Sequence, residues 1–253
     1  MPSDPARSAT AISRSLGIYY RDAARTARMD RLNRLFVPRG GLAFDVGAHV
    51  GDRVASFLRL GASVVAVEPQ PRVFRALRLL YGRCDRVRLE ERAVGAEAGH
   101  LELFINSANP TVSTLSPHLI AAARTAEGWD GEAWDQTWRV PVTTLDQLIA
   151  THGVPAFLKI DVEGYEAEAL QGLSVPVPAV SFEFTTIQRD LVETCVDRLC
   201  GLGAYRFNLS LGEAHALRSR HWVSAPEIVA HVRSLPMQAN SGDIYARLDT
   251  TTD

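Results

Sequence analysis

Lys159 is the only lysine among the 27 Lys and Arg residues of this chain, and it sits in the run Phe157-Leu158-Lys159-Ile160-Asp161-Val162-Glu163-Gly164. An ammonium is a compact point charge and a guanidinium is a flat, bulky fork. In a chain so biased toward Arg, the one Lys reads as a place where the fork does not fit, with chance as the alternative. On a strand, Lys159 and Asp161 project from the same face. A strand that ends in acids and then glycine has the look of the carboxyl end of a parallel strand, where open α/β sheets keep their ligands. A further acid, Glu183, lies inside the apolar run Val180-Ser181-Phe182-Glu183-Phe184. A carboxylate there is costly without a partner, and Lys159 on a nearby strand is the obvious one. The chemistry open to this set is proton transfer. Asp161 is the first candidate base or orienting group, Glu163 and Glu183 the second, and His49 the third. The alternatives are structural: a Lys159–Glu183 or Lys159–Asp161 pair, and for Glu163 an acid satisfying a helix N-terminus.

The next chemical signal is a glycine turn, Phe44-Asp45-Val46-Gly47-Ala48-His49-Val50-Gly51-Asp52. Glycine after a strand lets the backbone approach a ligand, and the helix that follows presents free N–H groups. A dinucleotide fingerprint needs Gly-x-Gly-x-x-Gly. This turn reads Gly-x-x-x-Gly, with an acid two residues before the first glycine. That acid repels a pyrophosphate and suits a ligand carrying an ammonium or a sulfonium. Glu68 closes the run Val64-Val65-Ala66-Val67-Glu68-Pro69 and is placed to take both hydroxyls of a ribose. Asp45 alone could be a turn cap; Asp45, Gly47, Gly51 and Glu68 together on strand ends describe a nucleoside-binding site.

The elements that must position these residues alternate. Strands are expected over 42–46, 63–67, 86–91, 157–161 and 179–184, with a terminal pair at 205–211 and 243–248. Helices are expected over 51–60, with Val54, Phe57 and Leu58 on one face, and over 71–81, with Val73, Leu77 and Leu80 inward. Two more are expected over 165–173 and 187–201. The βαβαβ start implies right-handed crossovers and helices on both sheet faces. Residues 100–105 and 139–143 read as an antiparallel flap. Thr144 reads as a helix N-cap, with Gln147 three residues on. The stretch 107–138 is the least regular and reads as a lid. Its Trp129, Trp134 and Trp138 could wall a ligand or staple the loop to the body, and residues 109–114 offer hydroxyl and amide groups suited to a polyhydroxylated ligand. Tyr19 and Tyr20, on a helix before the first strand, could cover a cofactor or simply pack.

Composition sets the outer bounds. At 253 residues, with a formal net charge of −2, the chain fits one embellished domain and carries no electrostatic footprint for nucleic acid. Cys84, Cys195 and Cys200 form no metal-type pairs, and Cys195 and Cys200 read as core residues of one helix. Their sparse, odd count suits a reducing compartment. No apolar stretch approaches the roughly 18 residues needed to span a membrane. The N-terminal segment lacks a signal-peptide core and is interrupted by Asp4, Asp22 and Asp30, so a surface helix is expected and a cytoplasmic location with it. The Arg-over-Lys bias points to a GC-rich, bacterial genome. His100, His118, His152, His215, His221 and His231 show no ligand spacing and read as surface or structural. No Asp-Asp or Asp-Asn pair accompanies Asp161, Glu163 and Glu183, so no metal is expected.

The runs Phe44–Gly51, Val64–Pro69, Thr144–Asp146, Lys159–Gly164 and Ser181–Phe184, in this order, resemble the FkbM family of S-adenosylmethionine-dependent methyltransferases. The resemblance implies a class I methyltransferase fold: α/β, Rossmann-like, with a seven-stranded, mostly parallel sheet whose last strand is antiparallel, plus a small antiparallel flap and a lid. It implies a division into an N-terminal helical cap, 1–38, and a methyltransferase domain, 39–253, with 107–138 as lid or insertion. By the same resemblance S-adenosylmethionine is the cofactor. Asp45, Gly47 and Gly51, with Ala48, His49 and Asp52 of the same turn, would hold its methionine part. Glu68, beside Pro69, would hold the ribose; Arg92 and Ala93, with Val94, would flank the adenine; Asp161 would face the transferred methyl group. His49 stands where many class I enzymes have a middle glycine, and whether it meets the cofactor carboxylate, the acceptor or neither is left open by the resemblance. The implied activity is O-methylation of a hydroxyl on a sugar, polyketide or other secondary metabolite. The implied partner is a small-molecule or glycan acceptor, with no nucleic acid or membrane partner and the oligomeric state open. Two other functions are weighed. A nicotinamide-dependent oxidoreductase is opposed by Asp45 and the glycine spacing. A non-catalytic cofactor-binding protein is opposed by the acids on the later strands.

Overall fold

The computed structural model describes residues 5–249; residues 1–4, Asp4 among them, and 250–253 lie outside the described residues. Two helices come first, α1 (Pro5–Arg21) and α2 (Ala23–Asn33). Asp22 separates them by capping α2, its carboxylate accepting the Arg25 backbone N–H at 2.8 Å. Then follow β1 (Leu42–Val46), α3 (Asp52–Arg59), β2 (Ser63–Val67), α4 (Pro71–Tyr81) and β3 (Val87–Glu90). A second group is β4 (Ala93–Val94), β5 (Gly99–Ile105), α5 (Pro117–Ala123), β6 (Gln136–Thr143) and α6 (Leu145–His152). The chain closes with β7 (Phe157–Ile160), α7 (Glu166–Gln171), β8 (Ala179–Thr185), α8 (Asp190–Leu202), β9 (Tyr205–Leu211), α9 (Ala225–Arg233) and β10 (Ser241–Leu248).

Seven strands form one sheet in the order β3-β2-β1-β7-β8-β10-β9. From β3 to β8 the pairing is parallel; β10 runs antiparallel to both β8 and β9. This is the α/β architecture expected, with its last strand antiparallel. The central strands are apolar without alternation because helices cover both faces. Phe44, Leu158, Ile160 and Phe182 point into a core shared with α6, α7, α8 and α9. Ala43, Ala66, Phe157 and Tyr245 point the other way, toward α2, α3 and α4. Asp45, Lys159, Glu183 and Asp243 alternate onto that second face by the two-residue period of a strand. They cluster at the carboxyl ends of β1, β7 and β8, where the order of the sheet reverses and a crevice must open.

Several local readings change. Leu80 is 48% exposed, and Phe74 takes the inward place on α4. Cys195 is buried, but Cys200 is exposed, because five helical steps carry it to the far side of α8. The flap is three-stranded, order β4-β6-β5, with β4 parallel to β6. The stretch 107–138 holds a 3₁₀ turn, Pro110–Val112, and helix α5. A 3₁₀ turn, Thr186–Gln188, precedes α8, and α9 falls in a stretch where no element is expected from the sequence. Thr144 does cap α6, accepting the Gln147 N–H at 3.1 Å. Among the described residues no helix is long and apolar enough to cross a membrane.

Candidate active site

The turn after β1 is built by close backbone approach. Gly47 has φ 82°, and a Cβ there would lie 1.7 Å from the Asp161 carbonyl oxygen. The Gly47 and Ala48 N–H groups both donate to the Val67 carbonyl, at 2.9 and 3.0 Å. His49 follows at φ 44°, a left-handed conformation uncommon outside glycine. Its backbone N–H donates to Glu68 Oε2 at 2.9 Å, and the Gln70 N–H donates to Glu68 Oε1 at 2.8 Å. The Glu68 carboxylate is thus buried and anchored at both oxygens, each with accepting capacity left for a ligand. Burial pushes its pKa up to about 7, against those two N–H groups. Asp45 is 1% exposed and its Oδ2 has no partner. Burial first, and the nearby Asp52 second, push it up to about 7. Neither ring nitrogen of His49 has a partner, and burial lowers its pKa to about 4, so the ring is neutral at pH 7.

Beside the turn stand the acids. The Lys159 ammonium donates to Asp161 Oδ2 at 2.9 Å and to Asp243 Oδ1 at 2.8 Å. Of the two expected pairs Lys159–Asp161 forms, and the place of Lys159–Glu183 is taken by Lys159–Asp243: the antiparallel β10 sets Asp243 opposite Glu183 and brings it to the ammonium. Burial opposes the charge on Lys159, but the two carboxylates outweigh it and hold the ammonium well above the usual lysine range. Burial likewise opposes the charge on Asp161, and Lys159 outweighs it, holding Asp161 below the usual carboxylate range. Burial and then Asp161 itself raise Glu163 and Glu183 well above theirs. Of the three neighbouring carboxyls, Asp161 is thus the one whose pKa is lowered and Glu163 and Glu183 are the two whose pKa is raised. Asp161, Glu163 and Glu183 each place an oxygen within 4.8 Å of the others, close enough to share a cation. Glu163 sits at φ 54°, its carbonyl accepting from Thr114 Oγ1 at 2.6 Å. The acid that caps the following turn is Glu166, which accepts the Val162 N–H at 3.0 Å.

The N-terminal helices supply the facing wall. Tyr19 stands edge-on to His49, ring centroids 6.1 Å apart, and the Arg25 guanidinium lies 4.9 Å from the Tyr19 ring centroid. Arg25 donates to Glu213 and Asp52, at 2.8 and 2.9 Å. The Tyr20 hydroxyl donates to the Val50 carbonyl at 2.9 Å, which fastens α1 to the glycine turn. Between these walls lies an open cleft, walled by Tyr19 and Arg25 on one side and by Asp45, Glu68 and Asp161 on the other.

The family model for the methyltransferase FkbM domain matches residues 45–235. The chain belongs to the FkbM methyltransferase family. It is an S-adenosylmethionine-dependent methyltransferase, and the nicotinamide and non-catalytic alternatives fall away. The FkbM domain is also similar to solved structures. One is a TehB-like SAM-dependent methyltransferase from Corynebacterium glutamicum, at 12% identity over 97% of this chain and 100% of that one, TM-score 0.47. Another is an O-methyltransferase from Bacillus cereus in complex with SAH, at 11% identity over 98% and 93%, TM-score 0.43. A third is Aeropyrum pernix fibrillarin with natively bound S-adenosyl-L-methionine, at 12% identity over 90% and 75%, TM-score 0.44. No curated protein matches the chain.

Of the site residues expected from sequence, all but Gly51 line the cleft of the FkbM domain. Gly51 lies behind it at φ 83°, where a Cβ would meet the Tyr81 ring at 2.5 Å. Thr111, Ser113 and Thr114 line it too, and Gln70, whose N–H holds Glu68, ties that segment to the same turn through Nε2 and the Pro110 carbonyl at 3.0 Å. Trp129, Trp134 and Trp138 do not line it; Trp134 donates to the Val112 carbonyl at 2.8 Å and so staples its loop. Sequence reasoning missed Arg25, Arg53 and Glu213 on the cleft wall and Asp243 behind it. For Asp243 a signal existed: it stands in β10 beside Ile244, Tyr245 and Ala246, an acid next to apolar strand residues as Glu183 is. For the others there was none, because their meeting depends on how α2 and the turn after β9 dock. His215, read as surface or structural, is buried and lies 2.9 Å from Glu213.

Proposed function

We propose that this FkbM domain methylates a hydroxyl group of a small polyhydroxylated molecule or glycan, with Asp161 as the base. One observation carries the reading: of three neighbouring carboxyls, Asp161 is the one paired with Lys159, which lowers its pKa, and its side chain is 34% exposed toward the cleft. The residues present fit the cofactor. The unpartnered Asp45 Oδ2 suits its ammonium, the free lone pairs of the anchored Glu68 suit two ribose hydroxyls, and Gly47 leaves room for close approach. Arg92 and Ala93, beside Pro69, suit the base. Bound S-adenosylmethionine supplies an electrophilic methyl group on a sulfonium.

The chain's own residues do the rest. Asp161 takes the proton of the acceptor hydroxyl, an effect typically worth about 10²–10⁴-fold. Glu163 and Glu183, whose pKa values are raised by burial and by Asp161, stand where they can hydrogen-bond neighbouring groups of the acceptor, while Thr111, Ser113 and Thr114 hold further hydroxyls. Orientation in the cleft, with α1 and the 107–138 segment over it as cap and lid, removes much of the entropic barrier. Acids outnumber arginines on the cleft wall, which favours neutral over phosphate-rich acceptors and argues against nucleic acid. Three free cysteines fit a reducing, cytoplasmic setting. The test is methyl transfer from isotope-labelled S-adenosylmethionine to a panel of sugars, polyketides, amines and RNA, with the product's linkage read by NMR. Label on oxygen of a small acceptor is expected; label on nitrogen, carbon or RNA alone would sink the reading.

A further inference from the structure

The amino-acid end of the cofactor is a zwitterion, so a site for it needs an acceptor for the ammonium and a donor for the carboxylate. Asp45 suits the first; nothing in the glycine turn is a cation. The N-terminal helices supply one. Arg25 is 5% exposed and lines the same cleft as Asp45 and His49. Its Nε is engaged by Glu213 and its Nη2 by Asp52. Its Nη1 is buried with no partner, as are Asp45 Oδ2 and both ring nitrogens of His49. Buried donors and acceptors are almost always satisfied, and an exception needs an explanation. Tyr19 packs against both Arg25 and His49, so the unsatisfied donor of α2 and the unsatisfied ring of the glycine turn flank one aromatic side chain. The orphans are of both kinds, carboxylate oxygen and guanidinium N–H, as a zwitterion requires.

We propose that Arg25 takes the α-carboxylate of the cofactor through Nη1, opposite Asp45, which takes the ammonium. The inference rests on the cofactor placement argued above and extends it to the N-terminal helices, which thereby complete the cofactor site. The competing role for Arg25 is purely structural, as the tie between α2, Asp52 and Glu213.

Calorimetry on the full chain with two ligands separates the roles. S-adenosylhomocysteine carries the amino-acid end; 5′-methylthioadenosine keeps adenine and ribose and lacks it. Arg25→Lys preserves a positive charge toward Asp52 and Glu213 and removes the Nη1 donors. It should weaken S-adenosylhomocysteine about 10–100-fold and 5′-methylthioadenosine less than about 3-fold. Equal loss on both ligands, or no loss on the first, overturns the proposal. Glu68→Gln serves as the second arm, since both ligands carry the ribose: if it changes neither affinity, the cofactor placement itself fails. Should Arg25→Lys not fold, the unaltered protein decides. It should bind the decarboxylated analogue of S-adenosylhomocysteine at least about 10-fold more weakly than the parent, and equal affinities overturn the carboxylate contact.

Discussion

Lys159 and Asp243 stand 84 residues apart in sequence and 2.8 Å apart across the sheet. Ser181, fully buried, lies between their strands, in register with Lys159 on one side and with Tyr245 on the other. Its small side chain leaves the ammonium room to reach β10. The last strand thereby contributes the carboxylate that shares Lys159 with Asp161.

That arrangement leaves little space for a larger cation. Lys159→Arg should cost about 1–3 kcal/mol, because the fork must be packed between two carboxylates. Lys159→Met should cost more, about 3–5 kcal/mol, because it strands two buried acids. Urea denaturation at pH 7 measures both, and a Met variant as stable as the parent would remove the ion pair from the account.

Asp161→Asn tests the base. The fold and cofactor affinity should persist, and single-turnover methyl transfer at saturating cofactor should fall by about 10²–10⁴. Full turnover with a lowered melting point would make Asp161 structural and move the search for a base to Glu183 or His49.

With the proposed role for Asp45, cofactor binding is linked to pH. Its folded pKa is about 7, above the ordinary carboxylate value. Such a group favours the fold below the unfolded pKa, near 4, and that contribution is lost as pH rises through about 7. At pH 8 the empty protein therefore carries a buried, unpaired charge. Asp45→Asn should stabilise it there by about 1–3 kcal/mol, a rise of about 2–4 °C in melting temperature per kcal/mol, and weaken S-adenosylhomocysteine binding. In the parent, affinity should fall as pH drops below about 7, since the ammonium needs the ionised acid. A pH-independent affinity between 5.5 and 8 contradicts this.

Asp161, Glu163 and Glu183 are close enough to share a cation, yet Lys159 already neutralises Asp161. Methyl transfer should survive dialysis against EDTA. Loss of turnover restored by Mg²⁺ alone would turn these acids from proton carriers into ligands.

Local pattern carried much of this molecule. Gly47 and Gly51 at positive φ, the unalternating runs of β1 and β2, the Thr144 cap and the acids closing β7 all follow from the chemistry of a few adjacent residues. They were enough to predict that Asp45 and Glu68 share one crevice at the carboxyl ends of β1 and β2. Leu80 and Cys200 misled, because an apolar residue at a plausible helical position does not say which face the fold covers. The pairing of Lys159 with Asp243 rather than Glu183, the wall formed by Arg25, Asp52 and Glu213, and the exclusion of the three tryptophans from the cleft were decided only by tertiary structure. The physical reason is range: caps, turns and burial period are set within a turn or a strand, whereas an ion pair is set by which distant segments the packed core brings within about 4 Å, and no short stretch of sequence encodes that distance.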